Sequence, residues 1–242
     1  MEKFPKLIFS DFDGTLTEQG KFSPVFFDVL KLIKTNKSEL VIVTGRPLSW
    51  AHFLLTHFEL SCVITEGGGM LSMKKEGSDF FEDTALIEEN NIKHLQNITR
   101  ELLMKFPEVF LSEDSACRVT DRAIDLDVLK VAGLDSEIEE FLVKNDINFS
   151  RSNVHLNFWS GCVSKRKSIE HYLKLKNVDR SNCLYFGDSL NDESAFEYIN
   201  HSVGVANIAS VENKMTTLPK VILRGSEKEE INGVYYYLKN CL

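Results

Sequence analysis

The chain opens with short apolar runs that alternate with longer stretches of mixed polarity. Each run ends in polar residues or glycine, which is the pattern of a strand buried on both faces of a parallel sheet. A Ser-Pro pair and a single proline precede the two intervening stretches, and proline is favoured in the first turn of a helix. We therefore predict strands at residues 6–12, 40–43 and 62–65, separated by helices at 23–36 and 47–58.

The pattern changes after Gly69 and returns after Ser164. The middle segment predicts strands at 70–72, 117–119, 123–128 and 154–159, with helices at 88–105 and 136–145. The last segment predicts helices at 164–176, at 190–198 and from 228, with strands at 183–186, 202–205 and 221–223. The fold class that follows is α/β, with a Rossmann-like, mostly parallel sheet formed by residues 1–70 and 161–242. Residues 71–160 are then an inserted α+β domain.

Composition narrows the classes of function. Of the 242 residues, 36 are acidic and 28 basic, so the formal net charge of −8 argues against a nucleic-acid partner or an anionic membrane surface. No apolar run approaches 18 residues, and the first 14 residues do not resemble a secretory signal. The five cysteines are scattered without zinc-like spacing, which is typical of reduced thiols in a cytoplasmic protein.

Acidic residues follow two of the predicted strands. Asp11 and Asp13 stand two positions apart at the end of the first strand, so that both side chains point to one face, and Asp188 ends a later strand. A turn-forming Asp-x-Asp-Gly is the competing explanation for the first pair. Thr44 ends the second strand, and all these strand ends converge on one edge of a parallel sheet.

Carboxylates gathered at one edge repel each other unless a cation neutralises them. Oxygen ligands without nearby histidine or cysteine favour a hard ion, and we predict Mg²⁺. Asp192 is either part of this group or a helix N-terminal charge. Lys165 is placed to hold a phosphate oxygen, but Arg166 and Lys167 adjoin it, and spacing alone does not choose among the three.

The segments DFDGTLT, TGR, the lysine and GDSLND resemble, in order and spacing, the four motifs of the haloacid dehalogenase (HAD) superfamily. The resemblance implies that Asp11 is a nucleophile that becomes an aspartyl-phosphate, and that Asp13 is the general acid and base. It implies that Thr44 and Lys165 bind the transferring phosphoryl group, and that Asp11, Asp13 through its carbonyl, Asp188 and Asp192 form the Mg²⁺ site. Gly45 and Asn191 are further candidate phosphate contacts.

The insertion lies where this family carries its type-C2 caps. Three segments resemble subfamily IIB of the family: VHLNFWSGCVSK, YFGDSLNDESAF and HSVGVAN. That subfamily includes sucrose-phosphate, trehalose-phosphate and mannosyl-3-phosphoglycerate phosphatases. Polar residues near the predicted cleft are candidate substrate contacts, with rim or sheet-face positions as the competing explanation. These candidates are Arg46, Glu66, Arg118, Arg122, His155 and Asn157. Two departures stand out: Gly67-Gly68-Gly69 replaces a common Asn-Gly, and Arg166 follows the lysine where glycine is common.

These observations predict a Mg²⁺-dependent phosphatase that acts on a small phosphate ester, with a sugar or glycosyl phosphate as the expected substrate. A phosphosugar mutase is the alternative, because phosphomannomutases share the fold class and carry an aspartate at the position of Asp13. A non-enzymatic phospho-acceptor or sugar-phosphate-binding module is a third reading, disfavoured by Asp13, Lys165 and the large insertion.

Overall fold

Eleven strands lie within the ranges that the computed structural model describes, which are residues 4–75, 77–151 and 154–240. They are β1 Leu7–Ser10, β2 Glu39–Val43, β3 Cys62–Thr65, β4 Met70–Lys74, β5 Phe81–Ala85, β6 Asp121–Asp125, β7 Asn148–Arg151, β8 His155–Trp159, β9 Cys183–Gly187, β10 Ser202–Gly204 and β11 Val221–Ile222.

The helices of the same ranges are α1 Pro24–Thr35, α2 Leu48–His57, α3 Glu89–Lys105, α4 Leu126–Ala132, α5 Asp135–Lys144, α6 Lys165–Lys176, α7 Glu193–Tyr198 and α8 Glu230–Asn240. None of them is both long enough and apolar enough to cross a membrane. The four cysteines within the described ranges, Cys62, Cys117, Cys162 and Cys183, form no disulfide, and Cys241 lies outside those ranges.

The main sheet has the strand order β11-β10-β9-β1-β2-β3-β4-β5 across the described chain. The pairs from β11 to β3 are parallel, whereas β4 and β5 add an antiparallel hairpin at one side. This topology confirms the α/β class with a mostly parallel sheet.

Both faces of the main sheet are covered. In β1, Ile8 contributes to a cluster under α1, α2 and α8, while Leu7 and Phe9 contribute to a second cluster under α6 and α7. All three side chains are nearly inaccessible to solvent. Burial on both faces explains why these strands are continuous apolar runs in the sequence rather than alternating ones.

The hairpin of β4 and β5 packs on α2. His52 of α2 stacks on Phe81, with ring centroids 4.5 Å apart and nearly parallel planes, and its Nε2 lies 2.8 Å from a carboxylate oxygen of Asp83. The Ser72 hydroxyl donates to the same carboxylate. Residues 70–85 therefore extend the main sheet, although nearly all of them fall within the predicted insertion 71–160, whose boundaries stay a prediction.

A separate antiparallel sheet with the order β6-β8-β7 lies within residues 121–159. Ile124, Leu156 and Phe158 point to one face and pack against α3 and α5. The alternate positions of the same strands carry Asp121, Asn157 and other polar side chains, since neighbouring residues of a strand face opposite ways.

Some predicted elements are wrong. No strand forms at 117–119, where a 3₁₀ turn Glu113–Cys117 leads into a loop. The strand predicted at 123–128 instead covers Asp121–Asp125 and then turns into α4. The helix predicted at 190–198 is divided into a 3₁₀ turn Leu190–Asp192 and α7. Strands β5 and β7 were not predicted.

Candidate active site

The ends of three parallel strands bring the predicted chemistry together. Asp11 follows β1, Thr44 follows β2 and Asp188 follows β9, and these strands are immediate neighbours with β1 in the middle. The backbone N–H of Asp11 donates to the carbonyl of Phe186, 2.9 Å away, so the loop after β1 stays attached to β9. The convergence predicted from the strand ends is present.

Lys165 lies between two carboxylates. Its Nζ donates to Asp11 Oδ1 at 2.5 Å and to Asp192 Oδ1 at 2.6 Å, and its side chain is 2% exposed. Burial alone would lower the pKa of this ammonium group, but the two carboxylates raise it above its ordinary value, so Lys165 is charged. Arg166 pairs with Glu197 near the surface and Lys167 is exposed, so among these three Lys165 is the one at the strand ends.

Asp192 is the most completely hydrogen-bonded carboxylate of the cluster. Besides Lys165, the Tyr185 hydroxyl donates to its Oδ1, while the backbone N–H groups of Asp188 and Ser189 donate to its Oδ2 at 3.0 Å. The last contact belongs to a capping box that starts the turn Leu190–Asp192. Asp192 thus anchors the loop that carries Asp188 and holds Lys165 in place.

Asp188 is flanked by two donors that the sequence reasoning did not assign. The Thr15 hydroxyl donates to Oδ1 at 3.0 Å, and Asn207 Nδ2 donates to Oδ2 at 2.9 Å and to the carbonyl of Gly14. Thr15 lies in DFDGTLT and Asn207 in HSVGVAN, so both were within segments already singled out. Only the three-dimensional structure shows that both residues orient Asp188.

Asp11, Asp188 and Asp192 each place a carboxylate oxygen within 4.8 Å of the others. Burial raises the pKa of Asp188 to about 7, and the charge of Asp192 adds to this effect. Burial and the neighbouring carboxylates also raise the pKa of Asp11, against the attraction of Lys165. One lysine therefore does not offset the negative charge of the cluster, and an all-oxygen donor set of this kind suits a divalent cation such as Mg²⁺.

Asp13 lies closer to solvent than Asp11. Arg46 Nε and Nη2 donate to its two carboxylate oxygens at 2.9 and 2.6 Å, and both side chains are roughly two-fifths exposed. The guanidinium of Arg46 also lies 4.5 Å from the centre of the Trp50 ring. The backbone N–H of Arg46 donates to the Thr44 hydroxyl at 3.1 Å, so this hydrogen bond links Thr44 to Arg46 within the loop.

The structure places the predicted substrate contacts in different surroundings. Glu66 and Arg118 are buried and hydrogen-bonded to the protein. Arg122 Nη1 donates to backbone carbonyls, including that of Asp121. His155 pairs with Asp125 at 2.9 Å, and Asn157 Nδ2 donates to Asp121 at 3.3 Å.

Gly45 and Gly68 contact neighbouring protein segments, whereas Asn191 is peripheral. Gly45 is exposed and accepts a hydrogen bond from Arg118. Gly68 adopts a φ of +112°, and a Cβ there would collide with the backbone carbonyl of Ser164. Asn191 is exposed and accepts a hydrogen bond from the Ser189 hydroxyl.

Comparisons with known proteins identify the family and the fold. A family model described as haloacid dehalogenase-like hydrolase matches residues 8–123 and 88–238. A phosphoglycolate phosphatase of Methanococcoides burtonii is 26% identical, over 98% of each chain. A Thermotoga maritima structure has a TM-score of 0.71 at 17% identity, covering 97% of both chains. The C-terminal domain of Candida albicans trehalose-6-phosphate phosphatase has a TM-score of 0.68 at 15% identity, covering 98% of this chain and 92% of that one.

Proposed function

The chain belongs to the haloacid dehalogenase-like hydrolase family, and on that premise we propose that it is a Mg²⁺-dependent phosphatase of small phosphorylated metabolites. The observation that carries the proposal is the buried ion pair of Lys165 with Asp11, next to Asp188 at the carboxyl ends of β1 and β9. A buried carboxylate whose orientation is set by a lysine is suited to nucleophilic attack on phosphorus. The carboxylates of Asp188 and Asp192 near Asp11 suit a cation that neutralises the charge of the incoming phosphate.

The first step forms a covalent intermediate. Lys165 holds Asp11 Oδ1, so Asp11 Oδ2 is the oxygen we assign to the attack on phosphorus. The new P–O bond forms as the bond from phosphorus to the ester oxygen breaks, and Asp13 gives a proton to the leaving alcohol. The products of this step are an aspartyl-phosphate and the free alcohol.

The second step regenerates Asp11. A water molecule attacks the phosphorus of the aspartyl-phosphate, and Asp13, now a carboxylate, accepts the proton of that water. The bond from phosphorus to Asp11 breaks and inorganic phosphate leaves. In our assignment, the Thr44 hydroxyl and the Lys165 ammonium donate hydrogen bonds to the phosphoryl oxygens during both steps.

Asp11 and Asp188 are the side chains that fit a bound Mg²⁺. Each oxygen of the fully buried Asp192 already accepts at least two hydrogen bonds, whereas each oxygen of Asp188 accepts one and keeps a free lone pair. When bound, this ion would offset negative charge between the carboxylates and the phosphate. Asp192 then acts by positioning Lys165 and the Asp188 loop.

We assign substrate selection to the insertion 71–160, and within it to the face of the smaller sheet that carries His155 and Asn157. Most side chains of this face are polar, and the neighbouring Arg118 donates a hydrogen bond to the carbonyl of Gly45, in the loop of residues 44–48. Polar side chains of this kind can hydrogen-bond sugar hydroxyls, so a sugar or glycosyl phosphate is our first candidate substrate. Phosphoglycolate is the second candidate, since relatives that match most of this chain carry the name phosphoglycolate phosphatase.

Phosphate release from a panel of phosphate esters tests the proposal. The panel contains sugar monophosphates, glycosyl phosphates, sugar bisphosphates and phosphoglycolate, each assayed with Mg²⁺ and with a chelator. We expect Mg²⁺-dependent release of inorganic phosphate from at least one class. A folded protein that releases no phosphate from any of them would refute the phosphatase assignment. Isomerised phosphosugar without free phosphate would identify a mutase instead.

A further inference from the structure

Glu66 is a buried carboxylate that the proposed reaction does not use. It follows β3, is 2% exposed and adopts a left-handed backbone conformation with φ of 55°. Its Oε2 accepts hydrogen bonds from the backbone N–H and the hydroxyl of Thr120, each at 2.6 Å, and from the N–H of Val119 at 3.0 Å. A carboxylate removed from water needs such donors, and here the loop before β6 supplies them.

Arg118 makes the converse contact: Glu66 binds the backbone next to Arg118, and the Arg118 side chain binds the loop after β2. Its side chain is 2% exposed and forms bidentate hydrogen bonds with Asp114 and further ones with Asp121. Its Nη1 also donates to the carbonyl of Gly45 at 3.1 Å. An arginine from the insertion is thus fixed by its own carboxylate neighbours and bonded to the loop after β2.

The loop of residues 44–48, which we call the TGR loop, is held at successive backbone positions by these two residues and by Gly67. The Gly67 N–H donates to the Thr44 carbonyl at 3.1 Å, and the Glu66 N–H donates to the Arg46 carbonyl at 2.9 Å. The Leu48 N–H donates to Glu66 Oε1 at 3.3 Å. Together with the Arg118 bond, these contacts fix the backbone on both sides of Arg46.

We propose that Glu66 and Arg118 are positioning residues that fix the TGR loop to the start of β6, so that the insertion and the phosphoryl-binding loop adopt their working geometry together. Neither residue touches the reacting atoms in this assignment. They act through Thr44 and Arg46, and this role takes the place of the substrate contact that the sequence suggested for Glu66 and Arg118.

The glycines after Glu66 are consistent with this role. A Cβ at Gly69 would collide with the Thr120 hydroxyl, and a Cβ at Gly68 would collide with the carbonyl of Ser164, the residue before Lys165. The chain after β3 therefore packs against the Thr120 side chain, within the insertion, and against the Ser164 backbone, just before α6. The glycine run that departs from the family pattern permits this close approach.

The kinetic part of this proposal rests on the proposed function, so its first test is independent of turnover. Hydrogen exchange, read by mass spectrometry, is compared for the wild type, Glu66→Gln and Arg118→Lys. We expect exchange about tenfold faster across 44–48 in Arg118→Lys, and across both 44–48 and 118–121 in Glu66→Gln. The control for a general loss of stability is Ile138→Val, which leaves a small cavity in the hydrophobic cluster of the insertion.

The second test separates positioning from a loss of folded protein. We expect kcat for the best phosphate ester to fall about 10–100-fold in Glu66→Gln, with a smaller change in KM. Vanadate, which adopts the geometry of the transferring phosphoryl group, should inhibit this variant correspondingly more weakly. A variant that is merely partly unfolded would show a lower kcat with unchanged inhibition by vanadate, and Ile138→Val calibrates that outcome.

Unchanged exchange across 44–48 in both variants would overturn the proposal, as would exchange that rises equally in Ile138→Val. If Glu66→Gln does not fold, Arg118→Lys alone decides, because it keeps the charge and loses the bridging geometry. A wild type without phosphatase activity would refute the proposed function, and the exchange experiment would still decide whether Glu66 and Arg118 couple the two segments.

Discussion

Arg46 forms two hydrogen bonds with Asp13, one to each carboxylate oxygen, while stacking on Trp50. The pair joins the TGR loop to the loop after β1, at the residue we assign as general acid and base. Because a bidentate arginine restricts both the position and the rotation of a carboxylate, we infer that Arg46 sets the orientation from which Asp13 would transfer a proton.

Replacing Arg46 with lysine should therefore damage proton delivery more than attack on phosphorus. We expect Arg46→Lys to lower kcat about tenfold for alkyl phosphates, whose leaving alcohols need a proton, and much less for p-nitrophenyl phosphate. Arg224→Lys, which alters an exposed pair with Glu212, is the matched control. Equal losses for both kinds of ester would contradict the orienting role.

Asp11→Asn should remove turnover while leaving the fold intact. The amide is a poor nucleophile, so we expect kcat to fall by about 10⁴-fold or more. The melting temperature in the absence of metal should stay the same or rise, since one of the mutually repelling carboxylates is gone. Phosphate release and thermal denaturation check the two expectations, and Asp28→Asn, at an exposed position of α1, is the control. An active Asp11→Asn enzyme would refute the covalent mechanism.

Added Mg²⁺ should stabilise the protein more strongly as pH rises. Burial raises the pKa of Asp188 to about 7 in the folded, metal-free state from an ordinary value of 3.8. Between these values the folded state binds the proton more tightly than the unfolded state, so this group lowers the free energy of unfolding as pH increases. A cation that needs the carboxylate therefore competes with protons below about pH 7 and binds freely above it.

Thermal denaturation from about pH 5 to about pH 8, with and without Mg²⁺, measures this effect. The increase in melting temperature caused by Mg²⁺ should grow through neutral pH, and KCl at equal ionic strength should not reproduce it. Asp188→Asn should lose most of the increase. The same Mg²⁺ effect at every pH would rule out the titration of this carboxyl as its cause.

Two adjacent glycines should respond differently to alanine. Gly68→Ala should lower the free energy of unfolding by about 2–4 kcal/mol, because its φ is positive and the new Cβ meets the Ser164 carbonyl. Gly67→Ala, with positive φ but open space around the Cβ position, should cost only about 1–2 kcal/mol. Urea denaturation of the two variants makes the comparison. Equal losses would show that backbone strain alone governs both sites.

The central strands were predictable because their burial is simple. Strands β1, β2 and β3 are covered on both faces, so the sequence shows them as uninterrupted apolar runs. Strands β5 and β7 were missed because they are edge strands of mixed or polar composition, and their pairing comes from backbone hydrogen bonds. Residues 117–119 were misread because Val119 lies in a loop held by Glu66, a contact 53 residues away along the chain.

The site shows the same division. The carboxyl ends of parallel strands lie at one edge of a sheet, and this was sufficient to predict that Asp11, Thr44 and Asp188 lie close together. Family resemblance singled out Lys165. The hydrogen bonds that orient these groups come from distant segments, such as Asn207 to Asp188 and Arg118 to Gly45. A single sequence contains no periodicity or spacing that reports such pairs, since each depends on where two loops meet after folding.

The hairpin of β4 and β5 limits where a chimaera between this chain and a relative can be joined. Because Phe81 and Asp83 pack on His52 of α2, the hairpin is joined to the main sheet and to one of its covering helices. A chimaera cut after Gly69 would attach a foreign pair of strands to this sheet in place of β4 and β5, whereas one cut after Ala85 would keep the native hairpin. Recombination that alters substrate choice without loss of stability should therefore have its first crossover between Ala85 and the start of α3.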